Sequence, residues 1–249
     1  MDEQLLNAIK NGEAAGADLE EADLSGADLG AVNLVGANLS WADLQGVNLA
    51  GANLQGANLS PANLEGANLE GANLSGADLS GTDFAGANLR RVNLEGANLE
   101  ETNLEGANLS GTDLRGVDFG GAILEGANLQ AANLSGTDLR WVCFDGVDLG
   151  GADLSGADLR WVSFRGADLG GVDLSGADLR SALLLGANLR WVNLEGADLQ
   201  GVSFDEPPPL KRTFKGRMSS KRAAMWRTLK GRFGSAPGGL AIWRRRRWR

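Results

Sequence analysis

The sequence predicts an all-β solenoid, and three observations predict it. From Leu19 to Phe204 every fifth residue is Leu or Phe, thirty-eight positions without a slip. Two residues before each of them stands Ala, Val or Thr, and Asp or Asn fills the place between. The five exceptions to Asp/Asn, namely Ile123, Cys143, Ser163, Leu183 and Ser203, are themselves spaced by twenty. A period of five matches neither the 3.6 of a helix nor the 2 of a strand. Self-similarity at a fixed period marks an architecture of stacked repeats.

Each column of the repeat has a physical reason. The Leu/Phe and Ala/Val/Thr columns are the apolar pair that an interior requires, and each Leu buried contributes ~1.5–3 kcal/mol. Gly stands at every position ending in 6 from Gly26 to Gly196, a corner placement where positive φ is cheap. Short extended sides joined by such corners make a coil, and coils stack at ~4.8 Å. The twenty-residue spacing recurs in Trp141 and Trp161 and in Arg140, Arg160 and Arg180. Twenty is four units, so the coil is four-sided. Thirty-eight units then give about nine to ten coils, a rod of roughly 45 Å.

The unit, written Ala-Asn-Leu-Gln-Gly at Ala52–Gly56 and Ala-Asp-Leu-Ser-Gly at Ala152–Gly156, resembles that of the pentapeptide-repeat proteins, A(D/N)LXX. The resemblance covers residues 17–204. It implies a right-handed quadrilateral β-helix with the Leu/Phe and Ala/Val/Thr columns inside. Its functional implication is thinner: most such proteins resemble binding or scaffold proteins. A minority resemble duplex DNA in shape and charge and bind DNA gyrase, a type II topoisomerase.

Three segments follow. Residues 1–16 form an N-terminal cap: Asp2 to Lys10 reads as a short helix, with Asp2 as N-cap, Leu5, Leu6 and Ile9 on one face, and Gly12 ending it. Terminal repeats need such a cover. Residues 17–204 are the β-helix. At Pro207–Pro209 the repeats stop, and residues 205–249 are a basic, partly helical or disordered C-terminal tail. Within it Met225, Trp226, Leu229 and Phe233 fall at helical spacing among Arg227 and Lys230, and the Trp243-Arg244-Arg245-Arg246-Arg247-Trp248 run follows.

Charge divides the same way. Residues 1–204 hold 9 Lys/Arg and 30 Asp/Glu, a net of −21, whereas residues 205–249 hold 14 and 2, a net of +12. The start Met1-Asp2-Glu3 is acidic, no signal peptide is evident, and no run approaches the ~20 apolar residues of a membrane span. A cytoplasmic protein, peripheral to a membrane at most, is expected. The single Cys143 excludes an internal disulfide.

Catalysis has little to work with. The repeat array contains no Lys and no His, leaving carboxylates alone for acid–base chemistry, so no enzyme, cofactor or metal is expected. The candidate contact surface is Arg140, Trp141, Arg160, Trp161, Arg180, Leu183, Leu185, Arg190 and Trp191, where columns otherwise Asp, Ser or Gly turn aromatic, basic or apolar. Trp and Arg are the residue types enriched at interface hot spots. The competing reading is a self-satisfied ladder that shields backbone edges. The tail has four readings: nucleic-acid phosphates, an anionic membrane, the acidic rod itself, or no role. The expectation adopted is a non-enzymatic scaffold for an unidentified protein partner, tethered by its tail to an anionic surface. The alternative is an acidic DNA mimic for DNA gyrase. Either could work as a homodimer of rods.

Overall fold

The computed structural model describes residues 3–12 and 14–204; the predicted cap residue Asp2 and the whole tail lie outside them. Parallel bridges join residues twenty apart, from Asp18–Asn38 to Leu183–Ser203. One coil is therefore four five-residue sides. Each side gives an isolated bridge rather than a strand, because a corner arrives before pairing can propagate. Leu24 N–H donates to Asp43 O at 2.8 Å, and Asp43 N–H returns to Ala22 O at 3.0 Å. The same exchange recurs along the rod.

The corners are β-turns closed between each core Leu carbonyl and the N–H three residues on, as in Ala27 N to Leu24 O at 3.1 Å. Their third residue has positive φ, the requirement of a type II turn, with Gly26 at 65°. Corner positions ending in 1 are not all Gly. Ten carry side chains at φ of 54–67°, among them Trp41, Trp141, Trp161 and Trp191. Pro61 occupies another, and its ring excludes positive φ. There the Leu59 carbonyl accepts the Thr82 hydroxyl from the next coil at 2.9 Å.

Inside, the Leu/Phe column is almost wholly buried, and Phe144 stacks on Phe164 with centroids 5.3 Å apart. Helix α1, Glu3–Lys10, sits at the N-terminal mouth with Ile9 2% exposed and Leu6 packed against the core. Outside, Asn residues ladder from coil to coil, as Asn68 Nδ2 to Asn48 Oδ1 and Asn88 Nδ2 to Asn68 Oδ1, at 3.1 and 3.0 Å. Each also accepts the N–H two residues on, as Asn63 does from Glu65 at 3.1 Å. One side chain thus closes its own turn and clamps its neighbour.

Candidate functional site: an aromatic corner over an apolar stripe

Register alone sorts the outward residues. Asp118, Asp138, Asp158, Asp178 and Asp198 fall in one column, since positions twenty apart lie over one another. Five stacked carboxylates at ~4.8 Å would repel. Arg140, Arg160 and Arg180 interleave with them. Arg160 grips Asp158 through Nε and Nη2 at 2.8 and 2.6 Å and reaches Asp178 in the next coil at 3.8 Å. Arg140 and Arg180 repeat the pattern on Asp138 and Asp178. The guanidinium hydrogen bond holds each of these carboxyls below the usual carboxylate range, outweighing the opposite push of partial desolvation. Arg140, Arg160 and Arg180, three of the four arginines of the predicted surface, are thus committed to a charge ladder of the rod.

The indoles are not so committed. Trp141 and Trp161 stack with centroids 4.7 Å apart and planes 4° from parallel, the geometry the twenty-residue spacing predicts. Trp141 remains 70% exposed and Trp161 41%. Arg160 Cζ lies 5.4 Å from the Trp161 ring centroid, within cation–π range. Below Trp141 the same corner column holds Gly121, so no side chain continues the stack there.

Turning this corner leads onto the next side, where the Asp/Asn ladder gives out. Bridges join Cys143, Ser163, Leu183 and Ser203 in one column and Asn103 to Ile123, and the twenty-residue register sets the first group above the second. Ile123 is 52% exposed, Cys143 is exposed, and Leu183 with its neighbour Leu185 is half-buried. Ser163 and Arg165 N–H bond to Asp145 instead of an Asx turn of their own, the latter at 2.9 Å. The bridges expected between Asp118 and Asp138 and between Ile123 and Cys143 are missing among the described residues. The corner beneath Trp141 is therefore a seam with less backbone pairing than the coils around it.

Not everything predicted for the surface meets here. Arg190 and Trp191, half a coil from the Trp141 column, stand at the opposite corner, where Trp191 is 58% exposed. Conversely, Trp41 shares the Trp141 corner column five coils below and is 65% exposed. Its position, one hundred residues before Trp141, was the available signal. The tail residues Met225 to Trp248 lie outside the described residues. Among the described residues no group of three or more His, Cys, Asp or Glu is placed to hold a metal ion, and no helix is long and apolar enough to cross a membrane.

The family model for pentapeptide repeats matches overlapping segments from 15–51 through 173–206. The chain belongs to the pentapeptide-repeat family. Among solved structures, this pentapeptide-repeat chain is similar to HetL, a pentapeptide-repeat protein involved in heterocyst differentiation regulation from the cyanobacterium Nostoc sp. strain PCC 7120. That match has 35% identity over 81% of this chain and 91% of HetL, with a TM-score of 0.40. It is also similar to a trypsin-treated variant of QnrB1, a plasmid-mediated fluoroquinolone resistance protein, at 24% identity over 77% of this chain and 89% of that one, with a TM-score of 0.40. A third is alr5209, a pentapeptide-repeat protein from Nostoc PCC 7120, at 39% identity over 43% and 78%, with a TM-score of 0.26. No curated protein matches the chain.

Proposed function

We propose that the chain is a non-enzymatic, cytoplasmic scaffold that binds a partner protein through the Trp141/Trp161 corner and the adjoining Ile123–Leu183 stripe. In this reading the basic tail tethers the scaffold to an anionic surface. The observation that carries the partner-binding reading is the backbone beneath the indoles. Trp141 and Trp161 sit at φ of 67° and 59°, a region costing a bulky L-residue ~1–2 kcal/mol. Gly fills most other corners without that cost. Large aromatic residues kept in a disfavoured conformation, and exposed there, support a role beyond stability. Leu183 and Leu185 add apolar surface where the polar ladder lapses, so the corner combines aromatic anchors with a flat apolar floor.

Affinity capture with the full chain tests this. Trp141→Gly with Trp161→Gly should abolish retention of the partner, whereas Trp191→Gly at the opposite corner should leave it intact. Equal retention by both variants would overturn the assignment.

A second reading rests on charge. The net of −21 over residues 1–204 compares with about 26 phosphate charges over 45 Å of duplex, which supports a DNA mimic for DNA gyrase. The acids are shared among all four sides, and those under Arg140, Arg160 and Arg180 are ion-paired. That mimicry would inhibit supercoiling at low salt and fade steeply as salt rises. Micromolar protein without effect at low salt would remove it.

A further inference from the structure

We infer that residues 210–249 of the same chain fold back onto the Ile123–Cys143–Ser163–Leu183 stripe and cover it. The inference uses the corner surface just described but no external partner. Three observations converge on it.

The first is where the chain leaves the solenoid. Ser203 bridges Leu183, so Phe204 and the segment after it depart from the top of the stripe itself. The second is reach. Ile123 lies four coil steps below Ser203, ~19 Å at strand spacing, a distance that about six extended residues span. Forty-five residues follow Phe204, ample to return along the stripe and pass beyond it.

The third is chemical order. The stripe column is apolar or neutral from Leu183 down to Ile123, with Arg165 and Asp145 beside it on the same side. That side and corner then turn acidic through Glu125, Glu105, Glu101, Asp83 and Glu65, with no base among these. In the tail six bases from Lys211 to Arg222 lead, and the apolar Met225, Trp226, Leu229 and Phe233 follow. The Arg244–Arg247 run, the densest in charge, comes last, so that the last two match the order of stripe and acids. A segment descending from Phe204 sets its apolar residues on the stripe and carries its densest positive charge toward the acids. The tail's net of +12 meets a rod of −21, and an intramolecular contact is favoured by the high effective concentration of a short connection.

The occupant is thus this chain's own tail, and an anionic surface competes for the same cations.

Cys143, the sole cysteine, lies exposed in the middle of the stripe and reports on the cover without engineering. The probe is alkylation by N-ethylmaleimide, a small uncharged reagent, in the full chain. It is compared with a full chain carrying Met225→Asp, Trp226→Asp, Leu229→Asp and Phe233→Asp, all outside the solenoid. The substituted chain should react about tenfold faster or more, the ratio for an uncovered minor state near 10%. The unsubstituted rate should rise toward it in 1 M salt, where the Debye length shrinks to about 3 Å. It should also be independent of protein concentration. Leu183→Asp, made from the other side of the contact, should accelerate Cys143 alkylation in a chain whose far-ultraviolet spectrum is unchanged. Equal rates in the first two chains would overturn the inference. So would protection that grows with protein concentration, which would assign the cover to a second copy. Neither result bears on partner capture by the corner, which is measured separately.

Discussion

Replacing Trp141 by Gly and, separately, by Ala separates what the corner does for stability from what it does for binding. The indole is 70% exposed. With ~250 Å² available to a Trp side chain, the covered remainder is about 75 Å², worth ~2 kcal/mol. The stack on Trp161 adds ~0.5–1.5 kcal/mol beyond area. Both substitutions lose these terms. Gly, however, relieves the ~1–2 kcal/mol of left-handed backbone strain and gives back only ~0.4–1 kcal/mol in unfolded-chain entropy. The Gly variant should therefore lose about 2 kcal/mol and the Ala variant about 3 kcal/mol, with roughly 2–4 °C in Tm per kcal/mol for a chain of this size. Thermal melts by circular dichroism rank the three chains Trp, Gly, Ala. Partner capture should rank them differently, with Gly and Ala equally defective by ~30-fold or more, as for a hot-spot residue. Capture that follows the melting order would mean that the indole acts through stability, and the argument from backbone strain would fail.

Acid should expose the arginine ladder. Asp158 is held below its ordinary pKa chiefly by its hydrogen bond from Arg160. Its stabilising share is therefore complete above about pH 4 and lost as pH falls through the lowered value. Arg160→Gln should lower Tm near neutrality by an amount worth about 1 kcal/mol or less, and its melting curve should converge on that of the parent chain in stronger acid. Parallel curves at every pH would refute the ladder. Thr82→Val deletes the hydroxyl that satisfies Leu59 O, and should cost ~0.5–1.5 kcal/mol in a denaturant titration; a neutral outcome would show that Leu59 O is met otherwise. For the tail, the full chain should bind vesicles of anionic but not neutral lipid. Arg244→Glu, Arg245→Glu, Arg246→Glu and Arg247→Glu together should end that binding, since each Lys or Arg near such a surface contributes ~1 kcal/mol. Binding that survives these substitutions would dismiss the tether.

The coil was legible in the sequence because every unit obeys the same local rule. Leu and Ala must point inward, Asp or Asn must close the turn, and Gly eases the corner, so a period of five with exceptions at twenty determines which residues stack. That is why Trp141 over Trp161 could be read before any coordinate. The helix at the N-terminal mouth was legible too, from Leu6 and Ile9 on one face. What the sequence left undecided was the use to which outward side chains are put. Arg140, Arg160 and Arg180 read equally as contact residues or as a ladder. Only the distances to Asp138, Asp158 and Asp178 show them held by the rod's own carboxylates. Trp191 and Trp41 belong to the legible part. Thirty residues from Trp161 is one and a half coils, which sets Trp191 at the far corner, and one hundred residues before Trp141 is five whole coils, which brings Trp41 into line. A repeat so uniform determines its own packing from nearest neighbours alone. Which outward side chains are gripped by the rod itself depends on distances between neighbouring coils, a property of the tertiary structure.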